Sequence, residues 1–260
     1  AAAHARARGG DVDGARHKTA EVIEQLDALG HPEFAMLHEP EIWPRLVRLL
    51  EGDTAPIVTV SLLGGFRVEV DGAVVALSAG RPAQVVKLLA LAARPLPIDE
   101  LAETLWPESP PDVGRRRLRN VLARVRAAGP LLGSSDGVVS LAETAVVDSQ
   151  VFERMAQAAA TVPAAQQLQA SLDAIARYTG ELLPADRFEE WTVAPRERMQ
   201  RRAIRLLTQI ANDSAAVGDV ATMTAAAERL VLLDPFDDTI PLRVATVLRD
   251  GNRPGDAAMW

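Results

Sequence analysis

The stretch "DVGRRRLRNVLARVRA", Asp112 to Ala127, holds six arginines in a chain whose formal net charge is −7. Guanidinium groups at this density are suited to phosphate oxygens and to the O6/N7 edge of guanine, and Asn120 is suited to adenine. Placed on a helical wheel at about 100° per residue, Leu118, Val121, Leu122 and Val125 fall at the i, i+3, i+4, i+7 spacing of a buried stripe. Arg116 and Asn120 then point outward. Ala123 and Arg119 lie on one flank, Arg117 and Arg124 on the other, and Arg115 and Arg126 near the stripe's edge. Like charges at i, i+4, such as Arg115 and Arg119, repel on a helix. Between Val113 and Ala142 the only acid is Asp136. The segment therefore reads as a DNA-facing helix, with a solvated Arg-rich surface and an acidic protein partner as the alternatives. Arg116, Asn120 and Arg119 are the base-reading candidates, and Arg115, Arg117, Arg124 and Arg126 are the phosphate anchors.

Such a helix needs elements to hold it. Before it, "PIDELAETLWPES" predicts a short helix with Asp99 and Glu100 in the first turn, where the helix dipole favours carboxylates. Pro107 and Pro110-Pro111 break that helix, and Asp112 stands where an N-cap is expected. After it, Asp136-Gly137 predicts the turn of a small β-hairpin. Upstream, "IVTVSLLGGFRVEVDGAVVAL" alternates, with Val58, Val60 and Leu62 on one face and Phe66, Val68 and Val70 on one face. Asp71-Gly72 marks a second hairpin turn, so the stretch reads as an antiparallel meander. "RPAQVVKLLALAARP" reads as a helix through Val85, Leu88, Leu89 and Ala92.

The flanks are simpler. Residues 1–18 carry no apolar period and read as a flexible tail. Residues 19–55 hold two short helices, an extension or linker. From Ser149 helical periodicity recurs near 149–160, 163–179, 186–217, 219–233 and 237–250, with the last two resembling a solenoid hairpin. Tyr178 and Trp191 fall in these helices and are assigned to packing. The chain starts at Ala1 rather than Met and stops as another helix begins, so a longer parent protein is expected.

Other chemistries find little support. There is no cysteine, so disulfides and thiolate metal sites are excluded. His4, His17, His31 and His38 have no metal-site spacing. "GSSDG" matches a nucleophile-elbow pattern at Ser135, but that elbow needs a following helix and a later histidine, and none follows His38. No phosphate-binding glycine pattern occurs, and the sequon at Asn212 falls in a predicted helix. No catalytic residue, metal or cofactor is expected. No apolar run reaches the roughly 18 residues of a membrane span.

The order meander, helix, helix, Arg-rich helix, hairpin, helical repeats resembles the Streptomyces antibiotic regulatory protein family and its larger relatives. "SLLGGFRVEVDGAVVAL" resembles that family's opening strands. "IDELAETLWPESPPDVGRRRLRNVLARVRAAGP" is similar to its helix-turn-helix, and "VVSLAETAVVDSQVFERM" to its wing and the entry to its helical domain. "YTGELLPADRFEEWTVAPRERMQRRAIRLL" is similar to a stretch of that domain. The likeness covers about 56–260. It implies an α+β winged helix of the response-regulator effector type over 56–148 and an all-α, tetratricopeptide-like bacterial transcriptional activation domain over 149–260. It also implies a cytoplasmic transcription activator with double-stranded DNA as partner, contact with RNA polymerase and homodimers on direct repeats. The recognition role falls on Arg115, Arg116, Arg119, Asn120 and Arg124. The residues before Pro56 depart from stand-alone members. A second reading stays open: a protein–protein interaction or signalling module of a larger or membrane-tethered protein. DNA binding through seven phosphate contacts would give a log K against log salt slope of about −6, and the second reading would give none.

Overall fold

The computed structural model describes residues 3, 12–30, 34–35, 42–51, 55–236, 239–250 and 254–258. The chain is a mixed α+β, helix-rich protein with its sheets in the N-terminal part and a helical C-terminal part. It divides into two compact units, Ala1–Leu62 with Phe66–Val151, and Leu63–Gly65 with Phe152–Trp260.

The first unit opens on α1 (Val12–Ala28) and α2 (Trp43–Glu51). Helix α1 corrects the expected tail of residues 1–18, since it begins at Val12. Its buried stripe there is Ala15 and Thr19, one turn apart and fully buried, with the Thr19 hydroxyl donating to the Ala15 carbonyl at 2.7 Å. Two small residues of this kind give no apolar signal in a sequence. The rest of the expected tail, Ala3 apart, lies outside the described residues, as do His4, His31 and His38.

The meander follows as β1 (Val58–Ser61), β2 (Arg67–Val70) and β3 (Ala73–Val74). Val58 faces Val70 and Val60 faces Val68 across the β1–β2 pair. Asp71 and Gly72 take φ of 51° and 82°, the two positive values a tight hairpin turn needs. A later strand, β7 (Ala145–Val147), lies parallel to β1 and completes a four-stranded sheet in the order β3-β2-β1-β7. The Asp148 carboxylate fixes the exit from β1 by accepting the Leu62 N–H at 2.8 Å, and it also accepts the Ser149 N–H.

Helix α3 (Arg81–Ala92) buries Val85, Leu88 and Leu89 as its period requires and ends at Ala93 in the left-handed region. The two-residue β4 (Leu96–Pro97) leads into α4 (Ile98–Leu105), then α5 (Pro111–Ala128), then the hairpin of β5 (Leu132–Ser135) and β6 (Val138–Leu141). These strands form a second sheet in the order β4-β6-β5.

The second unit takes up most of α6 (Asp148–Ala159), then α7 (Ala164–Ala176), a short 3₁₀ turn at Pro184–Asp186, α8 (Glu190–Ala216), α9 (Val220–Leu233), α10 (Thr239–Asp250) and α11 (Pro254–Ala257). Tyr178 and residues 186–189, expected in helices, lie outside them, because Gly180 and Pro184 interrupt the periodic stretch. The Gly64 N–H donates to the Glu181 carbonyl at 2.9 Å, and a Cβ on Gly180 would lie 2.8 Å from Gly64 Cα, so only glycine fits at 180. Phe152 and Tyr178 are buried with ring centroids 5.2 Å apart, which places Tyr178 in the core. Burial, and then the nearby Glu181 carboxylate, push its phenol pKa up. Met223, Ala227, Val244 and Leu248 form a further core cluster.

Candidate nucleic-acid interface

Helix α5 is 18 residues long, about 27 Å. Its start differs from expectation: the N-cap position is Pro110 and the first helical residue Pro111, with Asp112 inside the first turn. A proline at the first helical position has no N–H to leave unpaired, and its fixed φ already suits the helix. Asp112 thus stands near the positive end of the helix dipole, 3.3 Å from Arg115 Nη1.

The wheel holds in the structure. Leu118, Val121, Leu122 and Val125 are buried, while Arg115, Arg116, Arg117, Arg119, Asn120, Ala123, Arg124 and Arg126 are exposed. Gly114 is also buried. A Cβ there would stand 3.4 Å from Ala102 Cβ, so α4 and α5 meet through two small residues and cross closely.

The exposed arginines fall into two sets. Arg115 is held by Asp99 of α4, with Nε donating to Oδ1 and Nη2 to Oδ2 at 3.1 Å. The Arg115 hydrogen bond keeps the Asp99 carboxyl below its ordinary pKa, and the same bond raises Arg115. Arg117 Nη1 donates to Ser109 Oγ at 3.0 Å, and Arg126 Nη2 to Ser134 Oγ at 3.3 Å. Arg116, Arg119, Asn120 and Arg124 have no side-chain partner among the described residues. A fixed set therefore borders a free one on a single face.

The hairpin stands beside this face. Asp136 and Gly137 take φ of 47° and 79°, the expected tight turn. A cleft of about 470 Å³ between helix and hairpin is lined by Arg119, Arg126, Ser134, Ser135 and Asp136 among others. Ser135 ends β5 and its hydroxyl lies 3.2 Å from Asp136 Oδ2. A turn and a strand follow it, which is not the setting of a nucleophile elbow.

Two features of the site escaped the sequence reading. The position of Asp99 in a first turn points only to the helix dipole, because its partner Arg115 stands 16 positions further on. The Arg81 guanidinium lies 5.3 Å above the Trp106 ring, a cation–π contact with no local sequence signal.

Residues 147–259 match the family model of the bacterial transcriptional activator domain. The match bears out the resemblance drawn from the helical half of the sequence. The fold is similar to a solved structure of EmbR from Mycobacterium tuberculosis in complex with a low-affinity phosphopeptide, with a TM-score of 0.63 and 21% identity. That likeness covers 78% of this chain, which spans 57% of the EmbR chain. Comparison with curated protein sequences gives no match. No helix among the described residues is long and apolar enough to cross a membrane.

Proposed function

We propose that this chain, which carries a bacterial transcriptional activator domain over residues 147–259, is a sequence-specific DNA-binding activator of transcription. On this reading residues 56–148 act as a winged helix, with α4 and α5 as its helix-turn-helix and the β5–β6 hairpin as the wing. Helix α5 lies in the major groove, which is about 12 Å wide and admits one helix.

One observation carries the proposal. Four groups, Arg116, Arg119, Asn120 and Arg124, stand exposed and unengaged on the face opposite a buried stripe. Bidentate pairing with base edges requires donors that no intramolecular partner already occupies. Arg116, Arg119 and Asn120 read bases, while Arg117, Arg124 and Arg126 bind phosphates. Arg115 is turned towards Asp99 and serves mainly to orient α5 on α4. The chain's net charge of −7 places its acidic excess outside this segment, which favours approach to a duplex through this face.

Helices α6–α11 form tetratricopeptide-like repeats that self-associate or meet RNA polymerase once the first unit is seated, and the protein works in the cytoplasm without a cofactor. Electrophoretic titration of the full chain against a random-sequence duplex and a selected site tests the reading. The expected result is a site-specific complex tighter than the random one by at least 10³. Equal, weak affinity for both duplexes would overturn it.

A further inference from the structure

The second unit contains a cleft of about 460 Å³, with two arginines in an otherwise largely apolar wall, that the proposed DNA reading does not use. Its wall comes from three helices. On α8, Arg202, Arg205 and Gln209 recur at i, i+3 and i+7 and so share one face. On α7, Gln167 and Ser171 stand four apart, and α6 adds Gln157 and the small Ala156 and Ala159, followed by Ala160 in the turn after it, which leave the space open.

The chemistry of the wall is one-sided. Two guanidiniums line it and no carboxylate does. Arg202 is anchored by donating from Nη1 to the Glu153 carbonyl at 3.0 Å, yet its Nε is buried without a partner. Ser171 is only 1% exposed, and its hydroxyl makes no hydrogen bond among the described residues. Arg205, Gln157 and Gln167 likewise have no side-chain partner among them. Gln209 donates to Asp213 at 2.8 Å, which fixes its amide. The Arg202 Nε, buried without a partner, calls for an explanation, and an anion between Arg202 and Arg205 would pair with guanidiniums that no carboxylate of the wall engages.

We propose that this cleft is a binding site for a small oxyanion-bearing molecule, a carboxylate or a phosphate ester, held by Arg202, Arg205 and Ser171. Its volume falls within the range of small-molecule sites. The amides of Gln157 and Gln167 recognise the polar remainder of the ligand. The site makes the helical unit a sensor of a charged metabolite.

Isothermal titration of the full chain with inorganic phosphate, and separately with citrate, tests this. Saturable binding of one anion per chain is expected, at millimolar affinity or better. Arg205→Gln weakens it tenfold or more, the loss expected for charge-assisted hydrogen bonds. Ser171→Ala weakens it several-fold. Arg201→Gln, an exposed change on α8 outside the cleft, leaves it unchanged. Tighter binding of phosphate assigns a phosphorylated ligand, and tighter binding of citrate a carboxylated one. No saturable binding of either up to about 10 mM, or equal losses in Arg205→Gln and Arg201→Gln, would overturn the proposal.

Discussion

Asp99 of α4 and Arg115 of α5 face each other through two parallel hydrogen bonds, joining the helices that precede and follow the Trp106–Pro110 turn. The pair has a consequence for DNA binding. A guanidinium shared with a carboxylate neutralises a phosphate poorly. Asp99→Ala releases Arg115, and the slope of log K against log salt on random-sequence duplex becomes steeper by about one unit. Fluorescence anisotropy at several salt concentrations measures it. An unchanged slope would mean that Arg115 already contacts DNA despite Asp99.

The same pair makes stability depend on pH. The Asp99 carboxyl is held below its ordinary pKa, chiefly by the Arg115 hydrogen bond. A depressed folded-state pKa contributes stability above the unfolded value, and that contribution is lost as pH falls through the folded value. Both groups are exposed, so the effect is small and fades with salt. Wild type should melt slightly above Asp99→Asn at neutral pH. The gap should close below pH about 3.9, as followed by circular dichroism. A gap that widens on acidification would contradict the assignment.

Base readers and phosphate anchors should separate by mutation. Arg116→Ala costs about 1–3 kcal/mol on the selected site and relaxes one base position. Arg124→Ala weakens binding alike on all sequences and lowers the salt slope by about one unit. Titration of both variants against the selected site and its single-base changes distinguishes them. Identical profiles would refute the division of roles.

The close crossing of α4 and α5 depends on Gly114. Gly114→Ala is tolerated, because a Cβ at 3.4 Å from Ala102 is offset by a helix-propensity gain of up to about 1 kcal/mol. Gly114→Leu overpacks the crossing and costs about 1–3 kcal/mol. It also abolishes DNA binding by displacing α5. Urea unfolding with a parallel binding assay measures both, and a Leu variant of wild-type stability would show that the helices do not pack here.

Local physics was legible in the sequence, and distant pairing was not. The stripe of Leu118, Val121, Leu122 and Val125 could be read because a 3.6-residue period fixes which side chains face inward. The turns at Asp71-Gly72 and Asp136-Gly137 could be read because few other residue pairs accept two positive φ values. Strand β7 carries no such mark: Ala145–Val147 is three residues long, and its partner β1 is more than 80 positions away. The residue type of Asp112 predicts a cap, but Pro110-Pro111 starts the helix two residues earlier. At the site, the exposure of all seven candidate side chains follows from the stripe. The engagement of Arg115 by Asp99 does not, because it depends on how α4 and α5 cross. The Arg202–Arg205 cleft needs three helices at once and leaves no contiguous pattern.

Selection of bound duplexes from a random pool tests the central claim most directly. The full chain should enrich one motif, and Arg116→Ala should enrich the same motif with one position degenerate. Enrichment of no sequence, or a motif that neither Arg116→Ala nor Asn120→Ala alters, would contradict the assignment of α5 as the element that reads DNA.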